Sequence, residues 1–260
     1  MSCHDVGVTL ASAAKLRVQI CGPLVIQRGD ERIEGVLPGR QGRLAFTYLV
    51  LNRHRQMSRE ELAAALWPKA TPSAPEAVLN PLLSKIRRAL GPETIPSRST
   101  LRLDLPEAWV DLEAATDAIH RAESAVAQGA WARAWGPSQV ALFVAERAIL
   151  AGEEAPWLDD VRRHLGEIRV RALECYATAE LGIGGAELNG AVQAARRLTQ
   201  VAPLRESGHR TLIKALAAQG NLAEALRAYG DLRQTLRDEL GISPSPASQA
   251  LYAHLLAGPR

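Results

Sequence analysis

Basic side chains are concentrated in one stretch of this 260-residue sequence. Residues 38–102 contain eleven Arg and Lys against four Asp and Glu, a net charge of +7, whereas the rest of the chain carries −4. Guanidinium and ammonium groups neutralise phosphates, so a basic segment beside an acidic remainder is typical of a module that binds a nucleic acid. A basic face that is only solvated is the alternative.

The most polar face of this stretch belongs to a predicted amphipathic helix. Seven apolar residues recur at helical spacing within one arc: Val78, Leu79, Leu82, Leu83, Ile86, Ala89 and Leu90. The other arc carries the residues that we predict to contact DNA as a recognition helix: Asn80, Ser84, Lys85, Arg87 and Arg88. An α-helix fits the major groove of B-DNA, where Arg pairs with guanine and Asn with adenine. Contacts of Arg87 and Arg88 with phosphate or solvent alone are the alternative.

Pro81 leaves two interpretations of Asn80 open. An interior proline removes a backbone hydrogen bond and can kink a helix. If the helix restarts at Pro81, Asn80 is its N-cap and has a structural role instead of contacting a base.

Further polar residues at the ends of predicted elements are candidates for contacts with the DNA backbone. They are Arg40 and Arg43 at the start of the first helix, Ser58 and Arg59 at the start of the second, and Arg98, Ser99, Thr100 and Arg102 on a hairpin. The N–H groups at a helix start favour phosphate, and hairpin arginines can enter a flanking minor groove. A helix cap alone is the alternative for Ser58, and solvated surface charge is the alternative for the arginines.

Two pairs of side chains have the spacing of metal ligands. His120-x-x-Glu123 and His164-x-x-Glu167 each place an imidazole and a carboxylate one helical turn apart. Such pairs are commonly surface ion pairs, and no further Cys or His lies near them in the sequence. The sequence also lacks a Walker loop and a G-x-S-x-G nucleophile motif. We therefore predict that the protein is not an enzyme and holds no metal or cofactor.

Cysteine usage and hydropathy limit the compartment. Cys3, Cys21 and Cys175 are far apart and include no C-x-x-C pair, which argues against a disulfide framework and a zinc site. No stretch approaches 18 consecutive apolar residues, and no Lys or Arg precedes Lys15. We expect a cytoplasmic protein without a membrane segment.

The elements that position the basic helix begin with a small sheet. Leu16, Val18 and Ile20 alternate with polar residues, which predicts a half-buried strand over residues 15–21. Residues 24–33 add a second strand, a turn and a possible third strand, so we expect an antiparallel sheet. After Pro38-Gly39 the spacing becomes helical until about Asn52.

Two capping boxes and a hairpin complete this part of the chain. Ser58-Arg-Glu-Glu61 predicts the start of a short second helix, and Ser73-Ala-Pro-Glu76 predicts the start of the long basic helix. Gly91-Pro92 ends that helix, and the short strands expected at residues 94–95 and 101–105 form a β-hairpin. Sheet, helix, short helix, long basic helix and hairpin is the element order of a winged helix-turn-helix.

From residue 111 onward the sequence predicts about seven helices and no strands. A weak similarity recurs at an offset of 34 residues, in which Ala191, Ala194 and Leu198 correspond to Ala225, Ala228 and Leu232. Small residues at this spacing let paired helices approach closely, as in tetratricopeptide repeats. A plain alanine-rich bundle is the alternative.

Several longer motifs carry a resemblance to a known family. The segments from Gly39 to Asn52, from Ser58 to Pro68 and from Leu82 to Gly91 resemble the OmpR-type winged helix of SARP-type (antibiotic regulatory protein) bacterial activators. Pro203-Leu-Arg-Glu-Ser-Gly-His209 and two later segments resemble the bacterial transcriptional activation domain of that family. The hairpin departs from the family because Pro96 to Leu103 lacks its usual Gly-Tyr pair.

The resemblance implies a mainly α protein with a small β component: a winged helix-turn-helix DNA-binding domain over residues 15–108, followed by an all-α tetratricopeptide-like domain over residues 111–257. It also implies a transcriptional activator that binds double-stranded DNA at promoter direct repeats, contacts RNA polymerase holoenzyme and forms a homodimer at least on DNA. The alternative is a helical-repeat interaction scaffold whose winged helix no longer binds DNA.

Overall fold

The computed structural model describes residues 15–37, 39–95 and 100–257, which form two compact units. The first unit ends at Asp111 and also includes the later segment Ile149–Trp157. The second unit comprises Leu112–Ala148 and the chain from Leu158 onward. The predicted fold class is confirmed, because a small sheet with helices is followed by an all-α region.

The first unit opens with the predicted antiparallel sheet. Strands β1 (Leu16–Gln19), β2 (Val25–Arg28) and β3 (Glu31–Arg32) are consecutive neighbours. A fourth strand, Trp109–Val110, lies parallel to β1 and was not predicted from the sequence. The Asp111 carboxylate then accepts hydrogen bonds from the N–H groups of Ile20 and Cys21, each at 3.0 Å. These contacts join Asp111, the last residue of this part of the first unit, to the chain just after β1.

Three helices of the first unit follow the predicted order. They are α1 (Gly39–Leu51), α2 (Arg59–Leu66) and α3 (Pro75–Leu90). Ser58 caps α2 as predicted, since its hydroxyl accepts a hydrogen bond from the N–H of Glu61 at 3.0 Å. The Glu61 carboxylate accepts from the hydroxyl of Tyr48 at 3.0 Å and pairs with Arg55.

The capping box predicted for the start of α3 is wrong. The helix begins at Pro75, and its N-cap residue is Ala74, which makes no side-chain cap. Proline suits the first helical position because its missing N–H needs no partner there, so the start does not depend on Ser73. The helix continues through Pro81 without interruption, which places Asn80 inside α3 and not at an N-cap.

The predicted hairpin is also wrong in its pairing. Pro92–Thr94 forms a 3₁₀ turn, and β5 (Thr100–Leu101) pairs antiparallel with β4 (Met57–Ser58). Met57 and Leu101 are both buried, so this pairing adds two apolar side chains to the core. A hydrogen bond from the N–H of Asp104 to the carbonyl of Thr94 at 2.8 Å joins described residues on the two sides of the predicted hairpin.

The segment Ile149–Trp157 completes the first unit from much later in the chain. Ile149 forms bridges with Cys21 and Gly22 at the end of the sheet. The indole N–H of Trp157 donates to the carbonyl of Ala65 at 3.1 Å, and its ring meets that of Tyr48 edge to face at 5.3 Å. Trp157 is thus a packing anchor of the first unit.

Seven helices begin at or after Asp111 within the described residues. They are α4 (Asp111–Ala127), α5 (Trp131–Ala145), α6 (Pro156–Ile183), α7 (Leu188–Val201), α8 (Glu206–Ala218), α9 (Leu222–Leu240) and α10 (Pro246–Ala257). Helix α8 packs against both α7 and α9. All six residues of the predicted 34-residue similarity are buried, so small side chains do line the packed faces of α7 and α9. None of the described helices is long and apolar enough to cross a lipid bilayer.

Candidate nucleic-acid interface

Helix α3 presents a polar face to solvent and buries its apolar face. Leu79, Leu82, Leu83, Ile86, Ala89 and Leu90 are buried in the first unit. Four of the five predicted recognition residues are exposed: Asn80, Ser84, Lys85 and Arg88. The apolar side therefore fixes the orientation of the helix, while side chains that donate hydrogen bonds remain accessible on the other side.

Arg87 differs from these four residues. It is half-buried, and its Nε donates a hydrogen bond to the carbonyl of Ile95 at 2.7 Å. This contact holds the last turn of α3 to the 3₁₀ turn that follows it. Arg87 therefore has a structural partner in the free protein, and Arg88 is the more accessible of the two arginines.

Arg59 links the start of α2 to α3. Its Nε donates to a carboxylate oxygen of Glu76 at 3.0 Å, and its Nη2 donates to Oδ1 of Asn80. The Arg59 side chain is only 21% exposed, so most of it is enclosed by protein. The Arg59 side chain is thus restricted by its contacts with Glu76 and Asn80.

Arg40 and Arg43 form ion pairs near the start of α1. Glu153 pairs with Arg40 and lies 3.6 Å from a guanidinium nitrogen of Arg43. The Glu153 side chain is 12% exposed, which makes its carboxylate the more enclosed member of both pairs. No local motif indicates Glu153 as a partner, because it lies 113 positions after Arg40.

Ser58 and Thr100 are brought together by the pairing of β4 with β5. The two residues are direct partners across the strands, and both are exposed. Arg102 is exposed close by along the chain. Arg98 and Ser99, the other predicted hairpin residues, lie outside the described residues.

The two histidine–glutamate pairs, His120 with Glu123 and His164 with Glu167, lie in surroundings that differ from those of a metal site. Both oxygens of Glu123 accept hydrogen bonds from Arg171 at 2.6 Å, and this guanidinium lowers the pKa of the Glu123 carboxyl. His164 lies 4.0 Å from Glu167 on an exposed helix face. Among the described residues, no group of three or more His, Cys, Asp and Glu side chains is arranged to hold a metal ion.

Cys175 does not have the environment of a nucleophile. Burial raises the pKa of its thiol to about 12, with a further contribution from the nearby charges of Glu123 and Glu174. A thiol with this pKa is protonated at neutral pH, whereas nucleophilic cysteines react as thiolates. Cys175 is therefore a buried apolar side chain of the second unit.

A winged helix with an exposed polar face on α3, accompanied by an alanine-packed helical repeat, is typical of two-domain transcription regulators. The family described as "Bacterial transcriptional activator domain" matches residues 110–256. The chain belongs to this family, as a SARP-type bacterial transcriptional regulator.

Similar proteins extend the match to the first unit. The chain is 33% identical over 248 residues to the regulatory protein AfsR of Streptomyces griseus, covering 95% of this chain and 25% of AfsR. It is 25% identical over 259 residues to the regulatory protein DnrI of Streptomyces peucetius, covering 94% of this chain and 93% of DnrI. The chain thus spans about a quarter of AfsR but nearly all of DnrI.

A solved structure shows the same fold. The structure of Mycobacterium tuberculosis EmbR in complex with a low-affinity phosphopeptide superposes with a TM-score of 0.81 at 25% identity. The match covers 95% of this chain and 66% of the EmbR chain. The similarity therefore includes both the winged helix and the helical repeat. These relatives are named as regulatory proteins, not as enzymes.

Proposed function

We propose that this regulator binds duplex DNA in a sequence-specific manner by placing α3 in the major groove. The observation that carries the proposal is the exposed face formed by Asn80, Ser84, Lys85 and Arg88 on a helix whose opposite face is buried. A helix of this kind fits the groove, and Arg, Lys and Asn are the side chains that most often discriminate base edges there. DNA binding of this kind takes place in the bacterial cytoplasm.

Contacts with the DNA backbone would come from the surroundings of α3. We assign this role to Thr100 and Arg102, which are exposed, and to Arg98 and Ser99 between them and α3 in the chain. Ser58 contributes by its cap at the start of α2, where N–H groups favour phosphate. Arg40 and Arg43 would have to exchange the Glu153 carboxylate for a phosphate, so we expect a smaller contribution from them.

The second unit would supply protein contacts. We propose that it pairs two copies of the chain on promoter direct repeats and contacts RNA polymerase holoenzyme. The proposal is supported by the family to which residues 110–256 belong and by the repeat-like packing of α7, α8 and α9. Direct repeats place the winged helices head to tail, so the pairing need not be two-fold symmetric at the DNA.

The test is DNA binding by the full chain at several salt concentrations. The affinity for duplex fragments selected from the source genome should fall by about tenfold or more when the salt concentration rises from about 50 to about 200 mM. The reason is that phosphate contacts release counterions. Arg88→Ala should weaken binding to the selected sequence more than binding to random duplex. Arg233→Ala, which removes an exposed arginine from α9, is the matched control and should leave both unchanged.

A specific observation favours the second candidate function, a helical-repeat interaction scaffold whose winged helix no longer binds DNA. Four predicted DNA-contacting arginines already have protein partners: Arg40, Arg43, Arg59 and Arg87. A winged helix that had lost DNA binding would retain these intramolecular contacts. The chain could bind selected and random duplexes equally weakly, with neither affinity changed by Arg88→Ala. That result would favour the interaction scaffold over sequence-specific DNA binding.

A further inference from the structure

The contact between Arg59 and Asn80 settles how the Asn80 amide is oriented. A guanidinium group has donors and no acceptor, so the atom that faces Arg59 Nη2 is Oδ1 and not the amino group. Arg59 is itself held by Glu76 through its Nε. The Nδ2 amino group of Asn80 is therefore the part of the amide that can donate to a ligand.

This orientation determines which base edge Asn80 suits. Adenine offers an acceptor at N7 and a donor at N6 in the major groove, and asparagine binds both with Nδ2 and Oδ1. Oδ1 has two lone pairs, and Arg59 occupies one of them, so an adenine amino group would have to share the oxygen with a positively charged donor, which weakens its hydrogen bond. Guanine offers acceptors at both N7 and O6, which suit the free Nδ2.

We propose that Arg59 is a positioning residue that favours Asn80 as a hydrogen-bond donor, so that α3 selects guanine over adenine at the base pair facing Asn80. The inference rests on the proposed function, in which α3 enters the major groove. Asn80 is the sixth residue of α3, in the half of a recognition helix that contacts base edges in helix-turn-helix proteins.

The neighbouring exposed side chains fit the same preference. Lys85 and Arg88 carry only donors, and Ser84 carries a hydroxyl that both donates and accepts. The exposed face of α3 therefore offers mostly donors. The major-groove edge of guanine complements this face, because it presents two acceptors side by side.

The first experiment compares the wild-type full chain with its Asn80→Ala variant. Duplexes selected from a random library give the preferred base at each position, and Asn80→Ala identifies the position that depends on Asn80. At that position guanine is then replaced by inosine, which keeps the major-groove edge of guanine, or by 2,6-diaminopurine, which presents the edge of adenine. We expect affinity within about twofold for inosine and a loss of about fivefold or more for 2,6-diaminopurine.

The second experiment releases the amide. Arg59→Met removes the donor while it keeps an unbranched side chain, and we expect adenine to become as acceptable as guanine at that one position. Glu76→Gln is the matched control, since it removes the ion pair of Arg59 but leaves the contact with Asn80, and the guanine preference should persist.

The outcomes separate this inference from the proposed function. A wild-type preference for adenine at the position that depends on Asn80 overturns the inference and leaves sequence-specific binding intact. The same holds if Asn80→Ala changes no position. A wild-type chain without any sequence preference overturns the proposed function and the inference together.

Discussion

The carboxylate of Glu153 pairs with the guanidinium of Arg40, which lies 113 residues earlier in the chain at the start of α1. The same carboxylate lies 3.6 Å from Arg43. One acidic side chain thus joins the segment Ile149–Trp157 to the first helix of the winged domain.

Glu153→Gln should lower the free energy of unfolding of the first unit by about 0.5–1 kcal/mol, because two guanidinium groups lose a partly enclosed counter-charge. Urea unfolding at low salt measures the change. The neighbouring exposed residue provides the control, since Glu154→Gln should change the free energy by less than half as much. Equal effects of the two substitutions would show that the Glu153 ion pairs do not stabilise the unit.

Arg87 and Arg88 should separate stability from DNA binding. Arg87→Ala removes the hydrogen bond to the Ile95 carbonyl and should cost about 0.5–1.5 kcal/mol of unfolding free energy. Arg88→Ala should leave stability nearly unchanged, because its side chain is exposed, and should weaken specific DNA binding. Thermal unfolding and binding titrations measure the two effects. If the two variants lose stability equally, the assignment of Arg87 as the structural arginine is wrong.

Gly190 in α7 faces the carboxylate of Glu180, which is 2% exposed and accepts a hydrogen bond from Trp135 Nε1 at 3.2 Å. A Cβ at position 190 would overlap this carboxylate. Gly190→Ala should therefore destabilise the second unit by about 1–3 kcal/mol. Gly230 in α9 has open space around its position, so Gly230→Ala should stabilise the protein by about 0.5–1 kcal/mol. A stabilising Gly190→Ala would contradict the packing of α7 against Glu180.

Acidification should remove the contribution of Glu123. Arg171 lowers the folded-state pKa of this carboxyl below its ordinary value of 4.5, so its stabilising effect is present above that value and lost as the pH falls through the folded pKa. Glu123→Gln should then be less stable than wild type at pH 7 and nearly equal to it in strong acid. Urea unfolding across this range measures the difference, with Glu167→Gln on an exposed face as the control. A difference that is independent of pH would mean that the charge of Glu123 is not responsible.

Two adjacent half-sites should bind the full chain cooperatively. Joining two weakly bound modules makes the second binding event effectively intramolecular, which raises occupancy without a new base contact. Footprinting titrations on one and two half-sites measure the effect, and transcription with purified RNA polymerase holoenzyme measures activation. The role proposed for the second unit would be contradicted if the two half-sites were occupied independently. It would also be contradicted if adding the chain left transcription unchanged.

The apolar periodicity of the sequence predicted α3 and its exposed side chains, because burial on one face of a helix leaves a direct signal in spacing. It also predicted the buried alanines of α7 and α9. The cap of α2 at Ser58 follows from a local motif and was predicted as well. The resemblance to SARP-type activators gave the order of the two domains.

The partners of the polar side chains could not be predicted from the sequence. Spacing shows that Arg87 and Asn80 lie on a polar face, but not that Ile95 and Arg59 hold them. The contacts of Asp111 with Ile20 and Cys21 and of Glu153 with Arg40 join distant residues, for which a single sequence carries no periodic signal. The hairpin prediction failed for a related reason, since local alternation does not reveal that Leu101 pairs with Met57.

The late segment of the first unit has a consequence for synthesis of the chain. A ribosome must translate α4 and α5 before it adds Ile149–Trp157, the nine residues that carry Glu153 and the Trp157 anchor. The nascent winged domain therefore lacks its last packing partners while the helices of the second unit are being made. Completion of the DNA-binding fold is in this way tied to translation of the activator domain, so a prematurely terminated product would lack part of the winged domain's own core.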